Sequence, residues 1–491
     1  MEFISGADRN QVVFLPDSVD DYVDENNPVR VIEAYVNSLN LSDLGFTKPE
    51  PNDTGRPMYN PKDLLKLYVY GYMNRIRSSR RLETESRRNL EVIWLLGKLS
   101  PDHKTIARFR HDNASALKNV FRDFVKLCVR LGLYGKELVA IDGSKFKAVN
   151  SKDRNFTDKK LQERMARIDA RIEEYLHELD SRDSQESTVV GEKSSEEIIS
   201  IIRELVERKE RYQSYADELA QTGESQKSLT DPDSRLMMSN GKMDVCYNVQ
   251  TAVDAKNKLI VEFEVTNNAT DNNQITPMAE RAKEILDVST IAALVDNGYD
   301  SVQDIVAGMG QGFDVHVAGT DFDICVPVDE ADATEATSHK DGRCVYFAGR
   351  NITLCPMGSV LYPGFYKTAK GHGVFYNYKA CKHCVCKCTK EVRGRRYQVP
   401  MAESDFSKVY DDKNLFVKQI RIAPDKELIR RRKSIVEHPF GTVKRNMDAG
   451  YCLTKGNKNV SGEFSLAFLA YNLKRVINII GAKKLVECMG R

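Results

Sequence analysis

The chain has 491 residues, and its 73 lysines and arginines nearly balance 71 aspartates and glutamates, leaving a net charge of +2. This length exceeds what one hydrophobic core usually organises, so we expect two to four domains, and the balanced charge excludes polyanion binding through overall charge alone. The N-terminus lacks the blocks of a signal peptide, and no apolar run is long enough to cross a bilayer, so we expect a cytoplasmic protein without a membrane partner.

Residues 60 to about 130 are predicted to form several short helices. Asn60–Pro61 and Ser100–Pro101 each place a capping side chain just before a proline, which predicts two helix starts. Short, capped and basic helices are typical of a helix-turn-helix-like DNA reader, and equally of an amphipathic bundle with exposed arginines. The DNA-contact candidates on the second helix are His103, Lys104 and Arg108.

Two apolar segments further along the chain each end at an aspartate. Leu138–Ile141 is followed by Asp142 and a glycine, which predicts a buried strand that stops in a turn, and "IAALV" ends in the same way at Asp296. Between them we expect a β-hairpin and a helix that starts near Asp271 with a capping box closed by Gln274. This succession predicts an α/β domain over residues 136–320.

A pair of long helices interrupts that α/β pattern. Apolar residues spaced by three and four predict an antiparallel helical hairpin, which we interpret as an insertion at residues 155–225. The predicted seam consists of Leu161, Met165, Ile168, Ile172, Tyr175 and Leu179, followed by Ile198, Ile202, Leu205, Tyr212, Ala216 and Leu219.

The two aspartates and a later glutamate form a candidate metal site. If their strands are neighbours, Asp142 and Asp296 meet at the carboxyl edge of one sheet, where they would repel each other without a cation between them. Mg²⁺ or Mn²⁺ suits such oxygen ligands and leaves room for substrate phosphates. Glu437 is the natural third ligand, in a segment where Pro439 predicts that a helix starts or kinks. For each aspartate alone, a turn residue is the simpler interpretation.

Glu437 lies in a strongly basic segment, which is expected to hold a DNA backbone beside the metal. Its cations are Arg430, Arg431, Arg432, Lys433, Lys444 and Arg445.

Five segments of the chain resemble the DDE transposases of bacterial insertion sequences, in the branch with a helical N-terminal domain and a cysteine-bearing insertion. They are "AIDGSKFKA", "DVCYNVQTAVDAKNKLIVEFEVTN", "LVDNGYDS", "VEHPFGTVKR" and "SLAFLAYNLKRVINI". The resemblance implies a ribonuclease H-like catalytic fold with Asp142, Asp296 and Glu437 as its triad. The related signature Tyr-x2-Arg-x3-Glu-x6-Lys is half kept, since Arg430 and Lys433 stand where tyrosine and arginine are expected.

Cysteines cluster in a segment that departs from the α/β pattern. Cys355, Cys381, Cys384 and Cys388 have a spacing that suits a tetrahedral, structural Zn²⁺, with His383 and Cys386 as further candidates. A set of reduced cysteines in a loop is the alternative.

The expected division of the chain has four parts: 1–135, a helical DNA-binding domain; 136–320, the first part of the catalytic domain; 321–425, a cysteine-rich insertion; and 426–491, the completion of the catalytic domain. We expect a bacterial, nucleoid-associated transposase that cleaves and joins DNA ends with two metals. Its partners would be double-stranded terminal inverted repeats and target DNA, bound by a homodimer on paired ends. The alternatives are an inactive, domesticated DNA-binding protein and a metal nuclease without strand transfer.

Overall fold

The fold is taken from a computed structural model. It describes residues 18–47, 58–184, 195–239, 241–271, 273–296, 299, 313–317, 322–327, 336–338, 344–368, 372–384, 394–400, 409–412, 417–422 and 426–490. Within these ranges the chain is a mixed α/β protein with thirteen α-helices and sixteen strands.

The N-terminal part is helical, as the capping pattern predicts. Its helices are α1 Pro28–Ser38, α2 Pro61–Met73, α3 Ser79–Arg88, α4 Leu90–Leu95, α5 His103–Asp112 and α6 Ala114–Arg130. Asn60 caps α2 as expected, since its side chain accepts from the N–H of Lys62. The start predicted at Pro101 is wrong by two residues, because the Asp102 carboxylate accepts from two backbone N–H groups and caps α5 instead.

A six-stranded sheet forms the centre of the chain. Its strands are β1 Leu138–Lys147, β4 Arg235–Ser239, β5 Lys242–Asp254, β6 Ile260–Thr266, β7 Ile291–Val295 and β8 Phe313–Val317. The order is β4-β5-β1-β7-β8, and β6 pairs with the same edge of β5 as β4 does. β5 runs antiparallel to β1, whereas β7 is parallel to both β1 and β8. Helix α9 Ile275–Leu286 connects β6 to β7.

The predicted turn after Asp142 is wrong, because β1 continues through Asp142 and Gly143 to Lys147. β5 supplies an antiparallel partner for every residue from Val139 to Lys147, so the strand has no reason to stop. The capping box at Gln274 is wrong too: Gln274 takes the N-cap position of α9, but its side chain makes no capping hydrogen bond. Ser301 and Asp304, whose side chains predict the start of a further helix after Asp296, lie outside the described residues.

The helical hairpin is confirmed. It consists of α7 Asp158–Ser184 and α8 Ser195–Thr222, which follow β2 Asn155–Thr157 and precede β3 Gln226–Ser228. The side chains of Leu161, Ile168, Ile198, Leu205 and Leu219 are buried along the predicted seam. Lys209, a polar residue that falls in the seam's spacing between Leu205 and Tyr212, pairs with Asp169 across the hairpin at 2.6 Å.

The cysteine-bearing segment forms mostly small antiparallel sheets. Its elements are β9 Phe322–Pro327, β10 Ala336–Ser338, β11 Val345–Phe347, β12 Ile352–Leu354, β13 Val360–Lys367, β14 His372–Tyr376, α10 Tyr378–Lys382, β15 Arg396–Pro400 and β16 Val417–Ile422. Strands β10 to β15 form one sheet with a small buried cluster of its own, while β9 and β16 pair separately.

The C-terminal part is helical: α11 Lys426–Gly441, α12 Asn457–Ile480 and α13 Ala482–Met489, with a π-helix at Thr442–Asn446. The helix start predicted at Pro439 is wrong, since α11 runs through the proline and ends two residues later, and the alternative of a kink stays a prediction. The hydrogen bond that Pro439 cannot make falls in the last turn, where its loss disturbs little, and the chain then widens into the π-helix.

Helix α12 is almost wholly buried and joins both ends of the chain. It packs against α2 and α6 of the N-terminal helices and against β6 of the central sheet. Its Glu463 forms a buried ion pair with Arg77, which lies just before α3. One continuous hydrophobic core therefore includes residues of the N-terminal helices, the central sheet and the C-terminal helices. Among the described residues, no helix is long and apolar enough to cross a membrane.

Candidate active site at the edge of the central sheet

Asp142 and Asp296 occupy matching positions on neighbouring parallel strands. The last registered pair of β1 and β7 is Ala140 with Leu294. Asp142 lies two residues further along β1, and Asp296 lies two residues after Leu294, just past the end of β7. The sequence therefore placed both carboxylates correctly at one edge of the sheet, even though β1 does not end there.

A buried arginine lies between the two aspartates. Arg432 on α11 is only 7% exposed, and its Nη2 is 3.2 Å from Asp296 Oδ2. Its Nη1 is 3.7 Å from Asp142 Oδ1. Among the six cations expected to face DNA in this segment, Arg432 is thus the one that faces the carboxylates instead.

The environment of Asp142 favours its neutral form. Burial raises the pKa of Asp142 to about 6, against the opposing charge of Arg432 and with the support of Asp296 and Asp271. Asp271 is therefore a third carboxylate close enough to influence Asp142. From the sequence, Asp271 is predicted only to start a helix.

Glu437 stands apart from this pair. It is solvent-exposed on α11, five residues after Arg432, which is about 140° around the helix axis. Within the described part of the chain, no three His, Cys, Asp or Glu side chains are grouped closely enough to hold a metal ion. The structure therefore brings Asp142 and Asp296 together through Arg432, and it does not add Glu437 to them.

A polar network centred on Asp271 lies against Gly143, the residue after Asp142. Gly143 pairs with Gln250 of β5, whose Nε2 donates to Asp271 Oδ1 at 2.7 Å. Asn248 and Lys145 donate to the same oxygen at 2.7 and 3.0 Å. A Cβ on residue 143 would lie 2.2 Å from Gln250 Nε2 and 2.5 Å from Asp271 Oδ1, so only glycine fits there without displacing the network.

The same network reaches Asp296. The hydroxyl of Tyr299 donates to Gln250 Oε1, and its backbone N–H donates to the carbonyl oxygen of Asp296 at 3.1 Å. Tyr299 is 1% exposed, so this hydrogen bond is shielded from water. Sequence reasoning missed Gln250 and Tyr299. The signal available was a pair of polar residues, Asn248 and Gln250, that alternate with Tyr247 and Val249 in the buried part of β5.

Lys444 approaches β1 from the π-helix. Its Nζ donates to Ser144 Oγ at 2.6 Å and to the carbonyl oxygen of Lys145 at 3.0 Å, and it lies 4.3 Å from the centroid of the Phe146 ring. Burial lowers the pKa of Lys444. Lys444 therefore contacts β1 at positions two to four residues beyond Asp142.

Most of the other DNA-contact candidates are on the surface. Exposed side chains are found at Lys104, Arg108, Arg430, Arg431, Lys433 and Arg445. His103 is partly exposed, and its Nδ1 is 2.7 Å from Glu83 Oε2. This hydrogen bond connects α5 to α3, so His103 contributes to helix packing as well as to the surface.

Three of the four predicted zinc ligands lie around one small cavity. Cys355, Cys381 and Cys384 line a space of about 30 Å³, and burial raises the pKa of Cys355. Gly394, at φ +100°, packs so closely that a Cβ there would lie 2.4 Å from the Cβ of Cys381. His383 is exposed, and Cys386 and Cys388 lie outside the described residues.

Family models match two separate parts of the chain. A transposase domain family model, DUF772, matches residues 17–112, and a transposase DDE domain model matches residues 354–477. A cryo-EM structure of the piggyBac transposase synaptic complex with hairpin DNA covers 94% of this chain and 79% of its own, at 9% identity and a TM-score of 0.31. That score is too low to carry an argument. The comparison with curated proteins gave no match.

Proposed function

We propose that this chain, which belongs to the DDE transposases of insertion-sequence type, cleaves the DNA ends of its element and joins them to target DNA by two-metal phosphoryl transfer. The observation that carries the proposal is the meeting of Asp142 and Asp296 at one sheet edge, with a buried cation between them. Two carboxylates held this close are an acidic pair suited to a divalent metal.

The residues present fit Mg²⁺ or Mn²⁺ in part. Asp142 and Asp296 would hold the metal, with Glu437 as the third ligand of the proposed triad. When bound, the metal polarises the phosphodiester and activates the attacking water or 3′-hydroxyl. Glu437 would have to approach the aspartates from its exposed position on α11, so it is the member of the triad that most needs a test.

The other residues of the site position the aspartates or bind the substrate. The buried network of Gln250, Asp271 and Tyr299 fixes the spacing of the two aspartates. The exposed cations of α11, together with Arg445, would hold the DNA backbone beside them through contacts that are independent of sequence.

Several features support the remaining expectations. The antiparallel β6-β5-β1 half and the parallel β1-β7-β8 half of the sheet support a ribonuclease H-like catalytic fold. We propose the domain division given above, with one addition: α12, from the last segment, packs into the N-terminal helices. Those helices would read the terminal inverted repeats, and a homodimer would hold paired ends on the bacterial chromosome.

The test is incubation of the purified full chain with DNA carrying its own flanking ends, in the presence of Mg²⁺. We expect strand cleavage followed by joining to a target duplex. Cleavage without joining would identify a nuclease, and binding without cleavage would identify an inactive DNA-binding protein.

Single substitutions then test the triad. Asp142→Ala, Asp296→Ala and Glu437→Ala should each abolish cleavage and leave DNA binding intact. Asp314→Asn is the matched control, because Asp314 is an exposed carboxylate on β8 of the same sheet. A variant that cleaves at the wild-type rate removes its residue from the triad, and we regard Glu437 as the critical case.

A further inference from the structure

Arg432 has hydrogen-bonding capacity that the protein does not use. Arg432 is only 7% exposed, yet its Nε and Nη1 have no hydrogen-bond partner among the described residues. Leaving buried donors unpaired is costly, particularly on a charged group. Such donors are therefore expected to meet an acceptor that arrives with a ligand.

The position of Arg432 indicates which acceptor that is. Its Nη2 is anchored by Asp296 at 3.2 Å, so the guanidinium is held in place at the acidic pair. A guanidinium is planar and presents its N–H groups in a fork that matches two oxygens of a phosphate. At a site for phosphoryl transfer, the oxygens that come within reach of this fork are the non-bridging oxygens of the phosphodiester that reacts.

The neighbouring cations do not offer the same contact. Arg430, Arg431 and Lys433 are exposed on α11, and Lys444 is directed at Ser144 and the Lys145 carbonyl on β1. Of the cations on α11, Arg432 alone is within 4 Å of both aspartates in the part of the chain that the structure describes.

We propose that Arg432 is a catalytic residue: held by Asp142 and Asp296, it donates its free N–H groups to a non-bridging oxygen of the scissile phosphodiester. This proposal rests on the proposed transposase function. It assigns Arg432 to the reacting phosphate, whereas the exposed cations bind the DNA backbone elsewhere. A fixed donor aimed at the charge that develops in the transition state is a large contribution to phosphoryl transfer.

The experiment compares two terminal-repeat duplexes. One is unmodified, and the other carries an uncharged methylphosphonate at the scissile position. Their affinities are measured for the full chain with Ca²⁺ in place of Mg²⁺, so that binding is read without cleavage. The variants are Arg432→Gln and Arg432→Lys. Arg281→Gln is the matched control, because Arg281 pairs with Glu264 outside this site.

We expect the wild-type protein and the Arg281→Gln control to prefer the unmodified duplex by the same factor. In Arg432→Gln that factor should fall about tenfold or more, the contribution of a hydrogen bond to a charged group. Arg432→Lys keeps the charge but loses the fork, so its preference should lie between the two. It also serves as the test if Arg432→Gln does not fold.

Two results would overturn the proposal. The first is an unchanged preference in both Arg432 variants. The second is that Arg432→Gln loses Mn²⁺ binding, measured by calorimetry without DNA, but keeps the preference for the unmodified duplex. Arg432 would then only position the aspartates. A wild-type protein that shows the preference but never cleaves in Mg²⁺ would contradict the proposed transposase activity and leave the phosphate contact standing.

Discussion

The buried ion pair between Arg77 and Glu463 makes a strong prediction about stability. The two side chains are 4% and 3% exposed, and they join the N-terminal helices to α12. Arg77 also donates to the carbonyl oxygens of Asp448 and Tyr451, and its guanidinium lies 4.8 Å from the centroid of the Tyr451 ring. Arg77→Met keeps much of the side-chain volume and removes the charge and all of these hydrogen bonds.

The expected loss follows from the charge that remains. Removing one partner of a buried pair costs about 3–5 kcal/mol, because the other charge is left uncompensated. Glu463 retains the backbone N–H groups of Leu453 and Thr454, at 2.9 and 3.1 Å, together with the Thr454 hydroxyl at 2.9 Å. These donors limit the damage, so we place the loss in the free energy of unfolding at about 3 kcal/mol.

The only tryptophan provides the assay. Trp94 lies on α4 within the N-terminal helices, so its fluorescence during a urea titration reports on the part of the fold that Arg77 stabilises. A loss of about 3 kcal/mol should lower the urea midpoint by up to about 1 M, because m in urea rises with chain length and is about 3 kcal/mol per M or more for a chain of this size. Lys483→Met is the control: it breaks the exposed pair with Glu25 and should leave the midpoint unchanged.

The double variant Arg77→Met/Glu463→Gln isolates the pair. Because it leaves no unpaired charge, its midpoint should lie above the value expected from adding the two single losses. If Arg77→Met shifts the midpoint no more than Lys483→Met does, or if the two single losses add without coupling, the ion pair does not hold the helices together.

Four further predictions concern the site and the cysteines. Because the pKa of Asp142 is raised to about 6, Mn²⁺ affinity measured by calorimetry should fall as the pH drops below 6, by about tenfold per pH unit for one competing proton. The raised pKa also means that the protonated Asp142 carboxyl stabilises the metal-free fold. This stabilisation is fully present below the ordinary pKa of aspartate and is lost as the pH rises through 6. Asp142→Asn should therefore remove this contribution to the pH dependence of the melting temperature. Gly143→Ala should reduce DNA cleavage at least tenfold and lower the melting temperature by only a few degrees, because its Cβ displaces Gln250 at the site; a fully active variant would show that the network does not position Asp142. Elemental analysis should find about one zinc per chain, because a structural zinc takes four ligands. The Cys381→Ser variant should lack this zinc. Metal-free wild-type protein with freely titratable thiols would contradict the prediction.

The sequence predicted the parts of the fold and of the site that depend on local pattern. Asp296 ends an apolar strand, and the periodicity of the hairpin seam placed Leu161, Leu205 and Leu219 in a buried interface. Asp142 was identified for a reason that proved wrong. An aspartate followed by a glycine is typical of a turn, but here both residues continue β1 because the long strand β5 pairs with both of them.

The residues that sequence reasoning missed depend on distant contacts. Arg432 is one of four consecutive cations, and only the packing of α11 against the sheet distinguishes the buried one from its exposed neighbours. Gln250 and Tyr299 are 49 residues apart, and their hydrogen bond forms only because β5 and β7 both lie beside β1. Local patterns contain no information about such pairs.

The union of α12 with the N-terminal helices has a consequence for how the protein is made. Arg77 and Glu463 are separated by 386 residues, and a ribosome adding 5–20 residues per second needs about 20–80 s to cover that distance. Throughout that time the emerging N-terminal helices lack the partner that completes their core, and their apolar faces are open to chaperones and proteases. We therefore expect interrupted translation products to be degraded, so that only a finished polypeptide completes the core of its N-terminal helices.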